Sequence, residues 1–334
     1  MNVSELAQHL NLSPTTVSRA LSGQGEKYRV SAATVQRVRQ AAEKFHVSPD
    51  PLGTSLRSGK LGMIGLLVPD ITNSFFAQLA RCIELELRQH GMTVQLCDSN
   101  EDAAVEAKLL QQMLGRRLNG LIIAPVGRTS AEFTRAIESS PMPIIMLDRI
   151  VPHLNVPTIS LDNVAAGRLA AEHLIKTGHQ RIGCLRGDHE SFTDRQRFRG
   201  VTEALADAGF EMNSDWISGS GYTQAASLTG AGAILDSDPR PDAVIALSGQ
   251  GILGILEAAQ ELRVRIPEDV SIIAFDEQPW SSFANPPLTT VSQPTQQMAV
   301  EAVNSLVEPT SRPSLVLGAN IIERKSVQLR KALE

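Results

Sequence analysis

Residues 244–259, VIALSGQGILGILEAA, run from an apolar strand through a glycine-rich turn into a helix, and they contain Gly249-x-Gly251-x-x-Gly254. A second apolar run, VSIIAFDE at 270–277, sets Asp276 a little over twenty residues beyond Gly254. In a dinucleotide-binding unit such glycines make the tight turn under a pyrophosphate, and such an acid holds the ribose. In a two-lobed binding fold the same letters mark only the turn from a strand to its helix, with Ser248 facing a cleft. The second reading is the better supported. Three glycines at this spacing are weak evidence, the unit lies late in the chain after several other strands, and Asp276 has a competing role as a ligand for hydroxyl groups. The sequence holds no His-Glu-x-x-His, no Gly-x-Ser-x-Gly and no P-loop ending in Gly-Lys-Ser/Thr. We therefore expect no enzyme, no catalytic residue, no cofactor and no metal site; a nucleotide-cofactor enzyme is the remote alternative.

Working outward, apolar strands alternate with amphipathic helices from Leu61 onward. MIGLLVP, TVQLCD, GLIIAPV, IIMLD, RIGCLRG, AVIALS and SIIAF are short and rich in Ile, Val and Leu. That alternation predicts parallel sheets covered on both faces, and the number of strands suits two doubly wound lobes of similar size. Ligands in such sheets bind beyond the carboxyl ends of the strands, here between the lobes. The residues just past those ends are Asn73, Phe75 and Phe76, then Asp148 and Arg149, then Arg195 and Arg197, then Ser248, Asp276 and Gln293, with Tyr222 a weaker candidate for a second ring. Sugars present hydroxyl edges and apolar C–H faces, so carboxylates, guanidinium and amide groups beside an aromatic ring suit them. Of Phe75 and Phe76, one is expected in the core; Arg195 is expected at the surface and Arg197 in the pocket. Arg149 and Arg197 together leave room for a phosphorylated or acid sugar.

The 334 residues are enough for two or three domains with full cores. No run of about eighteen apolar residues and no signal segment occurs, which predicts a soluble, cytoplasmic chain with no membrane partner. Cys82, Cys97 and Cys184 are odd in number and lack any Cys-x-x-Cys pair, so they read as buried structural thiols. The net charge of −5 hides an asymmetry: residues 1–60 carry eight Lys or Arg against four acids, a balance of +4, and the remainder stands at −9. A basic head on an acidic body predicts that only the head meets a polyanion.

The head begins MNVSELAQHLNLSPTTVSRALSG. Asn2 and Glu5 form a capping-box-like start, and Leu6, Ala7 and Leu10 recur at helical spacing. Ser13 followed by Pro14 is a strong second start, because Ser caps free N–H groups and Pro gives up a donor that had no partner there. Val17, Ala20 and Leu21 then face inward, leaving Thr15, Thr16, Ser18 and Arg19 outside. This is a helix-turn-helix whose second helix suits a major groove. A third helix from Ser31 through Val35, Val38, Ala42 and Phe45 closes a three-helix core.

VSELAQHLNLSPTTVSRALSG, RVSAATVQRV and SLRSGKLGMIGLLVPDITNSFFAQL resemble the LacI/GalR family of bacterial transcription regulators, over nearly the whole chain and most specifically at residues 3–76. The longer stretch GEKYRVS resembles the fructose and sucrose repressor branch. The resemblance implies an all-α helix-turn-helix head at 1–47, a hinge helix or linker at 48–60, and a two-lobed α/β body like a periplasmic binding protein. Its first lobe would hold 61–160 and 292–318, its second 161–291 and 319–334, with crossings near Ser160, Val291 and Gly318. It implies that Thr15 and Arg19 read base edges, that Ser13, Thr16 and Ser18 lie near phosphates in a recognition helix starting at Pro14, and that Leu56 is a wedge for the minor groove. Asn73 to Phe76, Asp148, Arg149, Arg197 and Asp276 are also similar to ribose-binding proteins and their repressor relatives. The expected partners are operator double-stranded DNA, a sugar or sugar derivative, and a second copy of the chain; a regulator whose cleft takes a purine, or only a partner protein, is the alternative. Two departures stand out: the chain begins at the cap of its first helix, which suggests a truncated or misassigned start, and Gly53-Thr54 replaces a common Ala-Arg pair. Glycine costs a helix roughly 1 kcal/mol relative to alanine, so the hinge is expected to order only when paired on DNA. The end at Glu334 implies no tetramer-forming tail.

Overall fold

A computed structural model describes residues 1–21, 23, 25, 28–47, 62–307 and 314–330. The chain divides into two compact units, 1–62 and 63–334. Leu56, Gly53 and Thr54, with the expected hinge at 48–60, lie outside the described residues.

In the first unit α1 (Val3–His9) starts on a true capping box: Asn2 Oδ1 accepts from Glu5 N at 2.9 Å and Glu5 Oε2 accepts from Asn2 N at 2.9 Å. At α2 (Pro14–Leu21), Ser13 Oγ accepts from Thr16 N at 3.1 Å, and α3 (Ala32–Lys44) is capped in the same way by Ser31 on Thr34 N. The three amphipathic faces meet in a core of Leu6, Ala7, Val17, Ala20, Val38, Ala42 and Val47.

The second unit holds two six-stranded sheets. The first contains β1 (Met63–Val68), β2 (Thr93–Asp98), β3 (Gly120–Ile123), β4 (Ile144–Leu147), β5 (Thr158–Leu161) and β11 (Leu315–Leu317), in the order β11-β5-β4-β3-β1-β2 and parallel throughout. The second contains β6 (Ile182–Leu185), β7 (Ile217–Ser218), β8 (Ala243–Ala246), β9 (Ser271–Phe275), β10 (Thr289–Ser292) and β12 (Asn320–Ile322). Its order is β12-β10-β9-β8-β6-β7, parallel except where β12 runs against β10.

The side-chain period of two explains why these strands are apolar without interruption. On β1, Ile64, Leu66 and Val68 join the core under α4 (Ser74–Gln89) and α11 (Thr295–Val307), while Leu67 turns to α5 (Ala103–Leu114) and α6 (Ala131–Glu138). On β8, Ala243 and Ile245 face α7 (Asn163–Lys176) and α8 (Phe192–Asp207), and Val244 and Ala246 face α9 (Gln224–Leu235) and α10 (Gly249–Glu261). Helices on both faces of each sheet make two lobes, and the chain passes between them after β5, after β10 and after β11. Pairing runs through Leu161 at the end of β5 and through Ser292 at the end of β10. Cys184 is buried, but Cys82 and Cys97 are only half-buried: Cys82 lies at the edge of its helix's inner face and Cys97 on an edge strand.

Candidate functional site

Eleven side chains converge on one cavity at the carboxyl ends of the two sheets. They are the ten cleft candidates named from the sequence, Asn73, Phe75, Phe76, Asp148, Arg149, Arg197, Tyr222, Ser248, Asp276 and Gln293, together with Thr193. Arg195 is not among them; it is exposed, and its guanidinium reaches the carbonyls of His189 and Glu190 instead. Phe75 and Phe76 both belong to the core as well as to the cavity wall, their rings meeting edge to face at 5.1 Å.

Each side chain is aimed by the element that carries it. Asn73 caps α4, its Oδ1 accepting from Phe75 N at 3.1 Å. Ser248 caps α10 by accepting from Gly251 N at 3.2 Å. Asp148 and Asp276 occupy matching places, each directly after a central strand, β4 and β9, and each in the left-handed backbone region with φ of 63° and 68°. An L residue there costs roughly 1–2 kcal/mol, least for Asp and Asn, so the two lobes hold the same strain at the same point. The question raised by the three glycines is answered at Asp276: Gly249 N donates to Asp276 Oδ2 at 3.1 Å, and a Cβ on Gly249 would stand 3.2 Å from that oxygen and 2.5 Å from Gln278 Nε2. Gly254 serves packing, since a Cβ there would meet the Ser227 backbone at 2.4 Å. The glycines thus bring α10 close to a carboxylate and to α9.

The guanidinium groups are held as firmly. Arg149 donates from both terminal nitrogens to the two oxygens of Glu101, at 2.8 Å each, and stacks 5.3 Å from the Phe76 ring and 4.6 Å from the Tyr222 ring. Arg197 donates to Asn163 Oδ1 and to the Leu247 carbonyl, both at 2.8 Å, over the Phe275 ring at 4.5 Å. It sits there because α7 and α8 touch backbone to backbone: a Cβ at Gly167 would be 2.0 Å from Arg197 O, and one at Gly200 2.0 Å from Val164 O.

Several contacts join the lobes around the cavity. The Arg149–Tyr222 stack is one, and Ser74 Oγ donating to Gln278 Oε1 is another. Gly127 is the third, where a Cβ would stand 2.6 Å from Asp188 Oδ2. The space left inside is about 20 Å³, room for roughly one water. Two buried acceptors in its wall, Asp148 Oδ1 and Gln293 Oε1, meet no donor, although Gln293 Nε2 donates to Asp276 Oδ1 at 2.7 Å. Burial pushes the Asp148 carboxyl up to about 6, against the pull of Arg197 and Arg149. Behind the Arg149–Glu101 pair, burial pushes Glu106 up to about 8, with one oxygen on Val126 N at 2.7 Å and the other without a partner.

Sequence reasoning missed Glu101, Asn163 and Thr193. Glu101 lies three residues past β2, so the rule that found the other residues reaches it too; only its pairing with Arg149 was invisible.

In the separate head, α2 exposes Ser13, Pro14 and Thr15 and half-buries Thr16, Ser18 and Arg19. The Ser13 and Thr16 hydroxyls share a 2.8 Å hydrogen bond. Arg19 lies 3.9 Å from the centroid of the Tyr28 ring, a platform the sequence did not reveal.

Residues 61–317 match the family described as periplasmic binding proteins and sugar binding domain of LacI family. The chain is 30% identical over 321 residues to the HTH-type transcriptional repressor CytR of Escherichia coli strain K12, covering 96% of this chain and 92% of that protein. It is 32% identical over 316 residues to the ribose operon repressor of Halalkalibacterium halodurans, covering 94% and 91%. Its fold is similar to the crystal structure of the lac repressor dimer bound to operator and an anti-inducer, with a TM-score of 0.86, 21% identity and coverage of 98% and 99%.

Proposed function

The chain belongs to the LacI family, and from that premise we propose how its parts divide the work of a transcriptional regulator. It is a sequence-specific DNA-binding repressor rather than an enzyme, and it works as a homodimer on operator DNA. Repression belongs to the cytoplasm, where the operator is; among the described residues no helix is long and apolar enough to cross a membrane. α2 enters the major groove, with Thr15 and Arg19 reading base edges and Ser13, Pro14, Thr16 and Ser18 against the backbone. Leu56 is the minor-groove wedge of the hinge at 48–60. The first lobe is the one built on β1 to β5 and β11, and the second the one built on β6 to β10 and β12.

The inter-lobe cavity is the effector site. One observation carries this: eleven polar and aromatic residues, scattered over more than two hundred positions, meet around one space with unpaired buried acceptors in its wall. Two phenylalanines and a tyrosine suit the apolar faces of a sugar, and two aspartates, the Arg197 guanidinium and two amides suit its hydroxyl edge. The test is a thermal-shift screen of sugars and sugar derivatives with the intact chain, repeated with Asp276→Ala. A stabilising compound whose effect survives Asp276→Ala unchanged places the effector elsewhere.

A further inference from the structure

The two guanidinium groups at the cavity suggest an anionic ligand, but Arg149 is already paired with a carboxylate and Arg197 spends two of its three nitrogens on the protein. Both terminal nitrogens of Arg149 already face Glu101, which is 48 residues away in sequence and outside the cavity lining. That guanidinium also lies over the Phe76 and Tyr222 rings, 5.3 and 4.6 Å from their centroids. Arg197 is turned towards Asn163 and the Leu247 carbonyl. The fully buried side-chain atoms of the wall that meet no partner are both acceptors, Asp148 Oδ1 and Gln293 Oε1. Around the cavity Asp148, Asp276 and Glu101 outnumber Arg149 and Arg197, a balance of −1.

We infer that the cleft selects an uncharged, hydroxyl-rich ligand over its phosphorylated or carboxylated counterpart, and that Glu101 is the residue that sets this preference by occupying Arg149. The inference rests on the effector reading of the cavity and narrows it. A hydroxyl donates one hydrogen bond and accepts others, so it fills Asp148 Oδ1 or Gln293 Oε1 while taking donors elsewhere. A phosphate or carboxylate at neutral pH is acceptor-rich and donor-poor; it leaves both oxygens unpaired and adds negative charge to a buried, already negative wall. A site built around a donor from its ligand rejects an analogue that lacks one far more strongly than a merely apolar pocket rejects a misfit. Glu101 itself contacts Arg149, not the cavity, so it is a positioning residue acting on selectivity.

The test uses the intact chain without DNA and matched probes: ribose with ribose 5-phosphate, and glucose with glucose 6-phosphate and with glucuronate. Thermal shift and calorimetry are expected to show at least one neutral probe binding and its charged counterparts binding about tenfold or more weakly. Glu101→Gln is expected to free the Arg149 charge and to narrow that gap by about tenfold. It should also let inorganic phosphate raise the unfolding temperature, an effect removed by adding Arg149→Ala. A charged probe that binds as tightly as its neutral partner overturns the inference and leaves the effector site standing. Unchanged selectivity in a folded Glu101→Gln chain removes Glu101 from the account. Silence from every probe in both series overturns the inference and the sugar reading together. Should Glu101→Gln not fold, the matched pairs on the unaltered chain decide the selectivity alone.

Discussion

Arg19 stacks on Tyr28, and that contact decides how freely its guanidinium can swing. A guanidinium over an aromatic face gains about 0.5–1 kcal/mol at an exposed site. Arg19→Ala is therefore expected to cost about 1–3 kcal/mol on the operator and to relax one base preference in each half-site, measured by fluorescence anisotropy on operator variants. Tyr28→Ala should lose only part of this and keep the preference; equal loss on random DNA would make Arg19 a phosphate contact. Asp148 gives a pH test. Its folded-state pKa, raised to about 6 from 3.8, means the group favours folding below about pH 4, and that contribution is lost as pH rises through about 6. Hydroxyl donors favour the ionised form, so ligand binding should release a proton and weaken as pH falls below about 6. Calorimetry from pH 5 to pH 8 checks this, and Asp148→Asn should flatten the profile.

The helix pair α7 and α8 shows the same logic one scale up, since a whole contact depends on two missing side chains. Gly200→Ala would drive a methyl group to 2.0 Å from Val164 O and force the helices apart. Overpacking of this kind costs about 1–3 kcal/mol, and it should appear as a lower urea midpoint. Because α8 carries Arg197, effector affinity should fall too, whereas Gly232→Ala in α9, where nothing lies within 4 Å, should do neither. The elements the sequence made legible are those with strong local signals: Asn2, Ser13 and Ser31 at helix starts, and the long apolar strands β1, β8 and β9. β5, β7, β10, β11 and β12 were not recognised as strands; they are two to four residues long, several are rich in Ser and Thr, and the ladders that define them bring together distant parts of the chain. Most of the cleft residues are legible because they follow strong strands; Gln293 and Tyr222, past the short β10 and β7, are legible from residue type. Asn163 and Glu101 were not, since their roles arise from partners 34 and 48 residues away.

At the scale of the molecule, an effector in the cleft and an operator at the head are linked by a coupling of about 1–3 kcal/mol, roughly 5- to 150-fold in affinity, and the linkage is reciprocal. Effector affinity measured with and without operator should change by the same factor as operator affinity with and without effector. Asp276→Ala should abolish the response while leaving the operator affinity of the chain alone within about threefold; equal effector affinities with and without operator would sink the mechanism. The space of about 20 Å³ left among the cleft side chains has a further consequence, which concerns time. A sugar needs more room than that, so the Arg149–Tyr222 stack and the Ser74–Gln278 bond are expected to separate as one enters. Only the fraction of molecules with parted lobes can associate, and at high effector concentration the observed rate levels off at the rate of parting. Stopped-flow traces should show that plateau, and weakening the stack with Tyr222→Leu should raise it. A regulator built this way answers a sudden flood of nutrient no faster than its own clasp opens, so it filters out brief pulses and responds to those that last.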